Sequence, residues 1–202
     1  MGNHENKLYS YKMARATGFA PNPHFGVLTL ATCKADLRQV IRSDDWIAGW
    51  TSKSLAKCHD NPGEERLVYL ARVTRKLTYA DYWAQHPEKR PNLSDKKADA
   101  RHGDNIYEPS PAQPGAFIMH ANSHRISEEK QAKDLRGQYV LICEEFYYFS
   151  PASPLEVPAP IRPCIPKGQI RYGKITEDAS PLIDFVRENA AKCVKTSHIK
   201  SK

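Results

Sequence analysis

The chain has little cysteine, and none of it stands at a ligating spacing. Cys33, Cys58, Cys143, Cys164 and Cys193 are odd in number, and no two form a C-x-x-C pair. This argues against a disulfide framework and against a structural zinc site built on thiolates. Long apolar runs are also missing: nothing approaches the roughly 20 residues that a membrane-crossing helix needs. The first residues, Met1 to Lys7, lack the apolar segment of a secretory leader. Met1-Gly2 opens like a myristoylation signal, but Asn6 stands where Ser or Thr is required. These absences predict a cytoplasmic protein with no membrane attachment. There is no G-x-x-x-x-G-K-[ST] loop and no G-x-G-x-x-G turn, which argues against the usual ATP and dinucleotide sites. A G-x-S-x-G nucleophile elbow and internal repeats are absent too. No motif names a cofactor.

What is present is positive charge. The 202 residues carry a formal net charge of +7. An excess of this size favours an acidic partner such as nucleic acid or a nucleotide, through phosphate neutralisation and counterion release. Part of it sits in a Lys-rich tail at Lys192, Lys195, Lys200 and Lys202. With 40% hydrophobic and 26% charged residues, the composition is that of a globular protein. We read residues 1–150 as one domain. Residues 151–202 form a Pro-rich arm and a C-terminal helix packed on it, ending in the Lys-rich tail.

The patterning alternates short strands with short helices. Lys7 to Met13 reads as a first strand with an aromatic face at Tyr9 and Tyr11, and Phe25 to Ala31 as a second. Between them Pro21 and Pro23 bracket Asn22 in a rigid, non-helical loop. Asp36 to Ile41 has apolar residues at helical spacing, and a Ser43-Asp44-Asp45 turn leads to a strand at Trp46–Thr51. Arg66 to Thr74 reads as one longer strand. Thr78 with Asp81 resembles a capping box opening a helix from Tyr79 to Gln85. Residues 88–113 are polar and carry Lys89-Arg90, Lys96-Lys97 and Arg101-His102. A loop of this length is functional or unstructured as a rule. Ala116 to His120 reads as a strand, Ser127 to Arg136 as partly helical, and Gln138 to Cys143 as the strongest strand, running into Glu144 to Phe149. Ser180 and Pro181 form an N-cap and N1 pair for a final amphipathic helix.

Several of these stretches together resemble the nucleotide modification associated domain 2 family. They are Leu8-Tyr9-Ser10-Tyr11, Gly18-Phe19-Ala20-Pro21-Asn22-Pro23, Leu30-Ala31-Thr32-Cys33-Lys34 and Asp45-Trp46-Ile47-Ala48-Gly49. Later ones are Leu67-Val68-Tyr69, Arg90-Pro91-Asn92-Leu93, Gly103-Asp104-Asn105-Ile106-Tyr107 and Tyr139-Val140-Leu141-Ile142 with Phe146-Tyr147-Tyr148-Phe149. The resemblance spans about residues 7–150. Asp44 and Ser150 stand where the family carries glycine. The family implies a place in phage and bacterial systems that make or process altered DNA bases. The helix-turn-strand pattern at residues 36–51 is separately similar to PUA, EVE and ASCH domains, small barrels that receive a nucleobase. The fold expected is therefore α+β: a PUA-like, partly open β-barrel with peripheral helices and a C-terminal helix.

A base pocket needs aromatic faces for stacking and amide or carboxylate groups for the base edge. On that ground Asn22, Trp46, Asn105, Tyr107, Asn122 and Ser123 are the base-binding candidates. Lys53, Lys89, Arg90 and Arg101 are the candidates for phosphate. Asp104 with His124 is the candidate acid–base pair, should the domain be an enzyme. Histidines and carboxylates are scattered through loops without ligand spacing, so no metal is assigned. Three functions remain open: a nucleobase- or nucleic-acid-binding domain, an enzyme acting on a modified base or nucleotide, and an interaction subunit of a modification or restriction complex.

Overall fold

A computed structural model describes residues 6–58, 63–96, 98–122, 127–168 and 170–197. The elements run in the order β1 (Leu8–Met13), β2 (Leu28–Leu30), α1 (Ala35–Val40), β3 (Trp46–Thr51), α2 (Lys53–Lys57), β4 (Leu67–Arg72) and β5 (Arg75–Thr78). They continue with α3 (Tyr79–Gln85), α4 (Ala98–Arg101), β6 (Tyr107–Pro109), β7 (Phe117–Met119), α5 (Glu128–Leu135), β8 (Tyr139–Cys143), β9 (Glu145–Tyr148), β10 (Lys174–Thr176), α6 (Ser180–Glu188) and β11 (Lys195–Ser197). The chain is α+β, as expected. A six-stranded sheet has the order β10-β1-β3-β4-β9-β11, a three-stranded sheet the order β2-β8-β5, and β6 pairs with β7. The sheets do not close into a barrel; β10 and β11 edge the larger one. None of the described helices is long and apolar enough to cross a membrane.

Strand alternation builds the layers. Tyr9, Tyr11 and Met13 point from β1 into one core, where they meet Leu28 and Leu30 of β2 and Leu141 and Cys143 of β8. Leu8, Trp46, Ala48 and Trp50 point from the other face of the larger sheet into a second core. That face is covered by Leu155, Val157 and Ile161 of the Pro-rich arm and by Leu182 and Val186 of α6. The arm is anchored by a reciprocal backbone pair between Leu67 and Leu155, both at 2.8 Å. A third core lies outside the smaller sheet, where Val140 and Ile142 meet Tyr79, Tyr82, Ile106 and Tyr107.

Two expected strands are each divided. Arg66 to Thr74 gives β4 in the larger sheet, and the chain then turns into β5 in the smaller one. The run from Gln138 likewise leaves the smaller sheet at Glu144 and enters the larger as β9. Thr74 makes this corner: its N–H and hydroxyl both donate to Ile142 O, at 2.8 and 2.9 Å, and its hydroxyl accepts from Glu144 N. The second strand is shorter than the expected Phe25–Ala31. The final helix is capped at Ala179, which puts Ser180 and Pro181 inside its first turn.

Candidate functional site

The motif residues converge, and they do so inside the protein. Thr29 lies between Leu28 and Leu30, which face the inter-sheet core, so its side chain emerges on the α3 side of the smaller sheet. Asn22 is held against it by backbone hydrogen bonds of 2.8 and 2.9 Å. Lys89 enters the same space from a turn after α3. Its ammonium donates to Val27 O at 2.6 Å, Asn22 Oδ1 at 3.0 Å, Asn22 O at 3.1 Å and Thr29 Oγ1 at 3.2 Å. Thr29 then donates to Asp104 Oδ2 at 2.7 Å, and Tyr82 donates to Asp104 Oδ1 at 2.6 Å. Asn22, Thr29, Lys89 and Asp104 are all 0% exposed.

This enclosure sets the electrostatics. Burial pushes Lys89 down to about 8, partly offset by the Asp104 charge. Burial likewise raises the Asp104 carboxyl, against the opposing pull of Lys89, Tyr82 and Thr29. Gly103 is required by contact: a Cβ there would lie 2.2 Å from Lys89 O. The close approach lets Asn105 N reach Lys89 O at 3.1 Å. Asn105 Nδ2 then donates to Tyr82 O and His86 O at 3.0 and 2.9 Å, closing the C-terminal end of α3.

The other expected site residues are dispersed. Trp46 lies in the core on the far face of the larger sheet and lines a cavity of about 270 Å³ with Arg72, Glu145 and Arg187. Tyr107 donates to Asp134 Oδ2 at 3.0 Å. Asn122 is buried, and its amide donates to His120 O at 3.1 Å. Arg90 is exposed and stacks 4.0 Å from the Trp83 ring, which in turn stacks on His120 at 4.9 Å. Arg101 is exposed at the end of α4, and Lys53 is exposed on α2. Ser123 and His124 lie outside the described residues. Among the described residues no cluster of three His, Cys, Asp or Glu side chains is placed to hold a metal ion.

A second polar assembly opens to solvent. A cavity of about 500 Å³ lies between the loop before Ala20, the β2–α1 turn and α5. Arg15, Lys34, Lys130, Lys133, Arg136 and Arg171 line it, against Asp36 and Asp134. Asp36 is already engaged, by Arg171 at 3.0 Å and Arg136 at 3.5 Å, and the Arg171 contact holds its carboxyl below the usual range. The floor is built on Arg38, whose guanidinium is buried and donates to Cys33 O at 2.8 Å, Asp134 O at 2.7 Å, Tyr79 OH at 2.9 Å and Tyr139 O. Asp134 Oδ1 accepts from Cys33 N at 2.6 Å. Burial raises this carboxyl, and the Cys33 N–H and Arg38 oppose the rise.

Those bonds hold Cys33 and Lys34 in the left-handed region, at φ 61° and 46°. Two successive side-chain-bearing residues there are sterically costly and persist only where the surroundings fix them. Lys34 Nζ lies 4.5 Å over the Tyr11 ring, and burial lowers its basicity. Thr32 lines the same cavity with a buried hydroxyl that makes no hydrogen bond of good geometry, its polar neighbour being the Cys33 thiol. Phe19 and Ala20 supply the apolar wall.

A family model described as nucleotide modification associated domain 2 matches residues 5–197. The chain belongs to that family. Comparison with curated proteins and with solved structures gives no match. The match carries the family beyond residues 7–150, through the arm and α6, in keeping with the way both cover the larger sheet. For this nucleotide modification associated domain, sequence reasoning found the closed core and missed the open cavity. The cavity residues run from Arg15 to Arg171 and share no local motif. The legible signal was Lys130, Lys133 and Asp134 on one short amphipathic helix, which reads as an ordinary polar segment until α5 is docked.

Proposed function

We propose that this domain is a nucleic-acid- or nucleotide-binding component of a base-modification system, and that the basic cavity beside α5 is its contact surface. The family supports the setting. The observation that carries the surface is the charge of the cavity: six cations line it against two carboxylates, and with Arg136 and Arg171 engaged by Asp36, four cations remain against Asp134. Exposed cations around a concavity attract phosphate and release counterions, which fixes a ligand without reading sequence. The test is binding of single- and double-stranded oligonucleotides, with and without modified bases, as a function of salt. Affinity should fall steeply with salt, and Arg15→Glu should weaken it for every sequence. Affinity no higher than that of an unrelated protein of equal charge sinks the reading.

A second reading, an enzyme using Asp104 as acid or base with His124, draws on one observation: Asp104 and Lys89 are both displaced from their usual ionisation by burial. Against it stands the enclosure of both side chains. Turnover of a modified nucleotide that Asp104→Asn abolishes, in protein that still binds and folds, decides for the enzyme.

A further inference from the structure

Resting on the nucleic-acid reading above, we infer that the cavity beside α5 receives one whole nucleotide, whose base offers an amino or imino N–H to Asp134 while its phosphate lies among the cations of the rim. The volume comes first. About 500 Å³ falls within the range of small-molecule sites and suits one nucleotide, whereas a surface that only tracks a phosphate backbone needs no such depth. The lining is graded. Exposed Arg15, Lys130 and Lys133 stand at the rim, and buried Asp134 and Thr32 stand at the floor. A phosphate therefore meets charge at the mouth, and the base is carried past Phe19 and Ala20.

The floor also has unused capacity. Each Asp134 oxygen takes one internal hydrogen bond, from Cys33 N or from Tyr107 OH, and a carboxylate oxygen has a second lone-pair direction. An acceptor-only carboxylate favours a base edge that presents an amino group, as in cytosine, adenine, guanine or an amine-bearing modified base. Thymine, with carbonyl oxygens on either side of a single imino group, matches it poorly. Arg38 and Tyr79 both donate to the Asp134 backbone carbonyl, at 2.7 Å each, which fixes the residue in place, so recognition needs little rearrangement.

The experiment is calorimetric titration of the full chain with the monophosphates of deoxycytidine, deoxyadenosine, deoxyguanosine and thymidine, with inorganic phosphate, and with a short single-stranded oligonucleotide. Asp134→Asn keeps the side-chain shape and replaces one acceptor oxygen by a donor, and Lys133→Gln removes one rim charge. Neither side chain bonds Arg38, which donates to the Asp134 backbone carbonyl instead, and the melting temperature is checked for each. The expected result is that amine-bearing nucleotides bind roughly tenfold to a hundredfold more tightly than thymidine monophosphate or phosphate, as one hydrogen bond to a charged group implies. Asp134→Asn should shrink that preference, and Lys133→Gln should weaken all four nucleotides alike. Equal affinity for phosphate and every nucleotide overturns the inference and leaves the nucleic-acid reading intact. So does oligonucleotide binding without mononucleotide binding. If nothing binds at all, both fall.

Discussion

The closed core and the open cavity are built from the same parts. Each has one buried cation, Lys89 or Arg38, that donates to backbone carbonyls, and one buried carboxylate, Asp104 or Asp134, that accepts from a tyrosine hydroxyl. Each uses a glycine to let the cation's surroundings close up: Gly103 against Lys89 O, and Gly137 against the Arg38 guanidinium, 2.5 Å from where a Cβ would stand. The difference lies in what surrounds the carboxylate. Asp104 is sealed on every side, so its network joins α3, the Asn22 loop and the smaller sheet and has nothing left for a ligand. Asp134 faces a cavity ringed by further cations. A buried cation with a carboxylate close by is thus a brace in one place and the floor of a site in the other.

The sharpest way to break this comparison is to remove Lys89. Lys89→Met leaves the Asp104 carboxylate in the interior without the cation that favours its charge and takes a donor from Val27 O and Asn22. Removing one side of a buried charged set in this way costs about 3–5 kcal/mol. The double variant Lys89→Met/Asp104→Asn should recover much of that loss, because neither charge is then left alone. Urea unfolding of both singles and the double measures the coupling. Strictly additive losses would show that the two groups do not act as one brace.

The same pair makes stability depend on alkaline pH with a definite sign. Lys89 is lowered to about 8 in the fold, whereas an unfolded lysine titrates near 10.4. Between these values the unfolded chain still binds the proton that the native state has released, so stability contributed by this group rises with pH. It is fully present above the unfolded value and lost as pH falls through about 8. Wild type should gain on the order of 2–3 kcal/mol relative to Lys89→Met across that window. Parallel curves for the two proteins would mean that Lys89 titrates as an ordinary lysine. Next in size, Gly103→Ala drives a methyl into the Lys89 carbonyl and should cost about 1–3 kcal/mol, measured by thermal unfolding.

How much of this was legible in the sequence follows from how local each signal is. The α3 helix was readable because Thr78 caps it within its own first turn, accepting from Asp81 N at 3.1 Å. The crossover at Thr74 and Glu144 was not, because a strand that changes sheets keeps its apolar pattern through the corner. β10 and β11 have three residues each, too few for any alternation. Asp44 and Ser150, read in the sequence as standing in for glycine, are both at φ 71°, in the left-handed region. The site was half legible. Asn22, Lys89, Asp104 and Asn105 do meet, but a polar residue in a polar loop looks the same whether it grips a ligand or a neighbouring carbonyl. Only burial separates Lys89 from Lys133.

That separation gives the smallest stability effect and the clearest contrast. Lys130 and Lys133 are exposed on α5, and the ion pair of Lys133 with Glu129, at 2.7 Å, joins two side chains that are mostly in solvent. Such pairs contribute little, so Lys130→Gln/Lys133→Gln should change unfolding stability by no more than about 0.5 kcal/mol. Its effect should fall on binding instead. If both lysines contact phosphate, the slope of log affinity against log salt for a single-stranded oligonucleotide should become shallower by about 1.4, near 0.7 per contact. A large loss of stability with an unchanged salt slope would invert the assignment, making α5 a structural brace and leaving the ligand's charge to be met elsewhere.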